Sequence, residues 1–234
     1  MSSFEENQKK ARSILERGIG ILAQDYTVRR LDAGEFSSMI TLGTQFNIAH
    51  YEVESVGHLM TMYTEGNPHM MMETYTLTPY YKKLPIISSD FIFNEDEGMF
   101  LIELYELVKD REDALYQEWI GKYAERFKDI ADVEDIHTEP CFYDPIRPVF
   151  VSKKRTLSRD QDCIQNLVDT VKTFVEQEHA SPVLVEEEAA EQKAIQHKFV
   201  DDLIDQNGVS TRLFVKEHGV EFVRRFFHEI FFGV

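Results

Sequence analysis

Two acids and a threonine lie in runs that otherwise read as apolar strands, at 57–64, 69–77 and 84–94. The runs are separated by Glu65-Gly66-Asn67-Pro68 and by Thr78-Pro79-Tyr80-Tyr81-Lys82-Lys83, short connections typical of antiparallel reversals. A first reversal centred near Asn67 puts Thr61 opposite Glu73. A second, centred between Tyr81 and Lys82, puts Glu73 opposite Asp90. Cross-strand partners share a sheet face, so Thr61, Glu73 and Asp90 are expected in one lateral row. Carboxylates in such strands are costly to bury without a partner. Two of them side by side cannot both ionise cheaply, so one pKa rises and that acid becomes a proton donor near neutrality. A solvated edge pair, or a pair neutralised by Lys or Arg, is the alternative reading.

Other residue types widen the choice. Arg147, between Pro145-Ile146 and Pro148, either caps a turn or offers its planar fork to an anion. Met60, Met62 and the run Met70-Met71-Met72 fill a core or give a flat ligand deformable walls. His50 and His58 read as hydrogen-bonded within a sheet, His69 as facing solvent, and none has metal-pair spacing. Cys141 and Cys163 read as packing residues, too few for a disulfide or metal framework. No glycine-rich turn follows a strand and opens a helix, so no dinucleotide or flavin fingerprint is present. If the carboxylates serve a reduction, its electrons must come from outside the chain.

The elements that must hold these residues are a meander and a set of helices. Strands are expected near 27–31, 36–43, 46–54, 57–64, 69–77, 84–94 and 98–105. Met71, Glu73, Tyr75 and Leu77 alternate with Met70, Met72, Thr74 and Thr76, so both faces of that strand are apolar enough to be covered. Helical periodicity marks 3–24, 110–128, 159–177, 186–206 and 220–232, with Ser158 and Gln161 as a capping box and Gly208 as a stop. One domain, 1–234, is expected to form a three-layer α/β/α sandwich around a central antiparallel sheet of about seven strands. The 43% hydrophobic fraction can fill both cores. A formal charge of −17 disfavours nucleic acid and anionic membranes as general partners, although Lys82-Lys83 and Lys153-Lys154-Arg155 form local basic patches. No apolar run approaches the ~18–20 residues of a membrane span, and the acidic start, Met1 to Glu6, lacks a signal-like stretch. A reduced, cytoplasmic protein is the expectation.

Leu84-Pro85-Ile86-Ile87-Ser88-Ser89-Asp90, Pro145-Ile146-Arg147-Pro148 and the stretch from Phe199 through Asn207, Ser210-Thr211-Arg212 and Gly219 to Phe232 carry a resemblance. In order and spacing they resemble the ferredoxin-dependent bilin reductases, over roughly residues 46–234. The resemblance implies a seven-stranded antiparallel sheet between helical layers and an open-chain tetrapyrrole such as biliverdin as substrate. It also implies no bound cofactor, with single electrons arriving from an external ferredoxin or flavodoxin. Asp90 matches the aspartate that exchanges a proton with the bilin; Glu73, its expected catalytic partner from the carboxylate row, stands where the phycocyanobilin-forming member has histidine and several relatives have asparagine. Arg147 matches a propionate-holding arginine and Asn207 a family asparagine; Thr61, Met71 and Ser88 complete the expected substrate contacts. Thr61 stands where the phycocyanobilin-forming member has a glutamate tied to outer-vinyl reduction, and Gly208 where many members have an aspartate. The rival reading is a tetrapyrrole-binding protein without turnover, serving storage, transport or sensing.

Overall fold

In the computed structural model, which describes residues 3–65, 67, 71–94 and 97–234, the strands form one antiparallel sheet. They are β1 (Val28–Arg30), β2 (Ser38–Thr41), β3 (Thr44–Val53), β4 (Gly57–Glu65), β5 (Met71–Pro79), β6 (Ile86–Phe93), β7 (Glu97–Tyr105) and β8 (Val149–Thr156). The order is β1-β3-β4-β5-β6-β7-β8, with β2 also pairing with β3. The seven expected strands are present, and β8 adds an eighth on the β7 edge. Gly66, Pro68, His69 and Met70 lie outside the described residues, as do the side chains of Arg155 and Ser210.

Both faces are covered, which explains the weak alternation of β4 and β5. On one face lie α1 (Ser3–Asp25), α2 (Ala114–Arg126) and α3 (Asp160–Ala180). Their core includes Leu22, Trp119, Tyr123, Val171 and Phe174, packed on Leu59, Tyr75, Leu77, Phe91 and Phe100. Gly18 lets α1 come close, since a Cβ there would sit 2.7 Å from the Tyr75 ring. Lys10 pairs with Asp160 at 2.8 Å, tying α1 to α3. On the other face lie α4 (Glu186–Asp205), α5 (Val209–His218), α6 (Val220–Arg225) and a π-turn over Phe226–Phe231. Here Phe199, Leu203, Phe214, Phe226 and Phe227 pack on Phe46, Ile48, Met60 and Met62. Each such buried side chain contributes ~1.5–3 kcal/mol relative to exposure. The architecture is the expected three-layer sandwich. No helix among the described residues is long and apolar enough to cross a membrane.

Local signals differ from the sequence reading in three places. Ser158 does not cap α3, which follows a 3₁₀ turn and has no side-chain cap. Gly208 does not simply stop α4. Asn207 takes the left-handed position there, φ 56°, and the Asn207 and Gly208 amides donate to Ile204 and Leu203 carbonyls at 3.1 and 2.8 Å. Gly208 then opens α5, a helix not expected from periodicity.

Candidate active site

The register decides which acids meet. Thr61 pairs with Tyr75, Tyr63 with Glu73, Glu73 with Phe91, and Thr74 with Asp90. The second reversal is thus centred on Lys82 and not between Tyr81 and Lys82. A slip of one residue turns a strand's whole side-chain set over, and it does so here. Asp90 faces the α4–α6 layer, while Glu73, Thr61 and Met71 face α1 and α3. The expected row of two carboxylates and a threonine is therefore not formed. The row that contains Asp90 runs Ile48, Met62, Thr74, Asp90, Leu101 and Ser152.

Glu73 sits under α1 at 1% exposure, and neither carboxylate oxygen has a hydrogen-bond partner among the described residues. Burial pushes its pKa well above the ordinary carboxylate range, against the nearby charge of Arg12. It belongs to the scaffold beneath α1. Thr61 contacts the Ala49 carbonyl at 3.5 Å and lines a cleft of about 400 Å³ with Arg12, Asn47, Tyr51 and Tyr63. Met71, 3% exposed, belongs to the same core.

Asp90 has different company. Thr74 Oγ1 donates to Asp90 Oδ1 at 2.5 Å. Ser88, one pleat away, lies 3.3 Å from the Thr76 hydroxyl. Met72, Ile92, Met99, Leu101 and Phe150 form a half-buried floor on this face, and Asp90 is half-buried among them. The helices thus leave this part of the sheet partly open. Burial pushes the Asp90 carboxyl from 3.8 up to about 7; the Thr74 bond opposes that shift and the charge of Glu103 adds to it. An acid so placed holds a proton near neutrality and can deliver it to a group lying on the floor.

Glu103, on β7 opposite Ser88, is a second acid on Asp90's face. It pairs with Arg147, which also holds Asp144. The Arg147 guanidinium lies 3.7 Å from the centre of the Phe150 ring and 5.0 Å from that of Tyr143. Tyr143 also packs on Tyr105 with ring centres 5.9 Å apart. Beyond it, Cys141, Tyr143, Asn207, Gly208 and Arg212 line a second cleft of about 260 Å³. A Cβ on Gly208 would lie 3.0 Å from the Leu203 carbonyl oxygen, so this position is crowded for any larger residue. His58 is neutral here: burial lowers its pKa to about 4, and its Nε2 lies 2.7 Å from the Ile230 carbonyl oxygen.

Of the seven expected site residues, Asp90, Ser88, Arg147 and Asn207 lie on the α4–α6 side of the sheet. Glu73, Thr61 and Met71 lie on the other. Thr74 and Glu103 were not singled out from the sequence. Glu103 meets the criterion that selected Asp90, an acid within an apolar strand, and that signal could have found it. Thr74 becomes visible only with the register. The one His/Cys/Asp/Glu group among the described residues with donor atoms close enough to hold an ion is His197, Asp201 and His228. It lies on α4 and the C-terminal π-turn.

The fold is that of a solved structure of phytochromobilin synthase from tomato in complex with biliverdin. The two chains superpose with a TM-score of 0.73 at 13% identity, over 95% of this chain and 82% of the other. No protein-family model matches the sequence, and no curated protein matches it.

Proposed function

We propose that this chain binds an open-chain tetrapyrrole on the half-buried floor around Asp90 and reduces it with single electrons from an external ferredoxin-type donor. The observation that carries the reading is Asp90 itself, an acid with a pKa of about 7 amid Met72, Ile92, Leu101 and Phe150. The fold shared with a protein solved with biliverdin bound supports the choice of ligand. Each electron added to a conjugated bilin raises its basicity, and a positioned neutral acid then completes the step. The product carries one added proton per added electron. Asp90 is the proton donor in this reading, and Thr74 fixes its orientation. Methionine and aliphatic side chains suit a large flat ligand because they deform around it. Glu73 is left out of the chemistry by its position across the sheet.

A second reading, binding without turnover, has its own support. Arg147 is already paired with Glu103 and Asp144, so a propionate must displace a carboxylate to reach it. Gly208 supplies no acid near the Asn207 cleft. An anaerobic absorbance time course with biliverdin and a chemically reduced ferredoxin tests both. A bound spectrum that decays to a reduced product supports the enzyme. A bound spectrum that stays fixed supports the binder, and an unchanged spectrum refutes both. With Asp90 as the one acid free of an arginine on this floor among the described residues, and with the second proton reaching it from water, the expected product has gained two electrons. A four-electron product overturns the single-donor assignment.

A further inference from the structure

We propose that His197, Asp201 and His228 form a binding site for a divalent first-row metal ion of the zinc type, which clasps α4 to the C-terminal π-turn. Two of the donors come from one helix. His197 and Asp201 are four residues apart on α4 and so lie on one face, with His197 Nδ1 3.4 Å from Asp201 Oδ2. The third comes from the π-turn, where Phe232 N–H donates to the Phe227 carbonyl at 3.0 Å in the wide five-residue pattern. Such turns are frequent at functional sites. This one aims His228 at α4, with His228 Nε2 3.0 Å from Asp201 Oδ1 and the two imidazole rings 4.0 Å apart.

The spacing suits coordination. All three donor atoms fall within 4.8 Å of one another. Metal–ligand bonds of ~2.0–2.1 Å in a tetrahedral shell place donors about 3.3 Å apart; the 3.4 and 3.0 Å separations present are of that size but reach different oxygens of Asp201, so its carboxylate must turn to offer one oxygen to both rings. His197 has a half-exposed side chain, 53%, and can turn to close the third. His228 is 9% exposed, and its Nδ1 is buried with no hydrogen-bond partner among the described residues. With Nε2 on the ion, Nδ1 would keep the ring proton.

Two imidazoles and one carboxylate favour zinc, cobalt, nickel or copper over magnesium or calcium. Arg224 bonds to Asp201 and, at 2.6 Å, to Asp205. These bonds fix the place of the Asp201 carboxylate, while the positive charge of Arg224 keeps the site weaker than a closed structural one. Three protein donors leave a position for water. The ion would fasten the helical layer to the sheet, because the same π-turn is tied to β4 through His58 and the Ile230 carbonyl.

The test is titration of the metal-free full chain with cobalt(II), followed by its visible d–d absorption, and then displacement by zinc(II). Saturation at about one equivalent is expected, without the near-ultraviolet charge-transfer band that a Cys141 thiolate would give. His197→Ala, at an exposed position that should not disturb folding, should weaken binding at least ~10-fold, as should Asp201→Asn. Lys193→Ala, on the same helix, should leave binding unchanged. Zinc should raise the thermal midpoint of the wild type and not that of His197→Ala. No saturable binding, or equal affinity in wild type and His197→Ala, overturns the proposal.

Discussion

Replacing Asp90 with asparagine should make the folded chain more stable at pH 8 and leave it nearly unchanged at pH 4. The sign follows from the direction of the shift. The folded pKa of about 7 lies above the ordinary 3.8, so between those values the folded state holds a proton that the unfolded chain releases. Stability from this group is therefore complete below pH 4 and is lost as pH rises through 7. Above pH 8 the wild type must keep a charged carboxylate in the site. A gap of about 3 pH units at ~1.4 kcal/mol each sets an upper bound of ~4 kcal/mol. The cleft is partly open to water, which screens the charge, so ~1–3 kcal/mol is expected. Asparagine has the same shape and can still accept the Thr74 hydroxyl, now 2.5 Å from Asp90 Oδ1. Urea unfolding of both proteins from pH 4 to pH 9 gives the difference directly, because the other titrating groups cancel. The gap should open between pH 4 and 7 and then level off. A difference that stays flat with pH, or a variant less stable at pH 8, refutes the raised pKa and with it the basis for Asp90 as a neutral acid.

Three further outcomes are expected. Turnover of biliverdin by Asp90→Asn should fall at least ~10²-fold with most of the binding retained, as measured by stopped-flow absorbance; full activity would remove this residue from the mechanism. Glu73→Gln should change turnover and its pH profile less than twofold, since the side chain is across the sheet; a shifted pH optimum would revive the carboxylate pair. In Glu103→Gln the loss of a neighbouring negative charge should lower the Asp90 pKa, so the alkaline limb of the pH–rate profile should move to lower pH. An unmoved limb would deny the coupling.

Much of the architecture was legible because strands and helices declare themselves by period. β3 to β7 fall close to their expected limits, and α4 spans Glu186–Asp205 against an expected 186–206. What escaped has physical reasons. β8 begins with Val149-Phe150-Val151 but continues through Ser152-Lys153-Lys154, polar residues acceptable on an edge strand and easily read as a surface patch. α5 is only ten residues long and starts directly from the turn that ends α4. The site suffered most from the Tyr80-to-Pro85 connection, which has no glycine to fix its turn type. Its centre is set instead by tertiary contacts, with Lys82 bridging to Val183 and its ammonium paired with Glu178 at 2.7 Å. A sequence shows the acids, but the register that pairs them depends on a partner about 100 residues away.

Strand β5 also divides the protein into two halves that can change separately. Met71, Glu73, Tyr75 and Leu77 answer only to the first helical layer, and Met72, Thr74 and Thr76 answer to the second. Side chains with no shared partners have nearly additive effects. Substitutions that harden the protein against heat can accumulate on the odd positions without altering what lies on the floor around Asp90. Substitutions that refit the floor to a new ligand draw on a reserve of stability kept behind the sheet. The same nine residues thus let robustness and ligand choice drift at different rates within one strand.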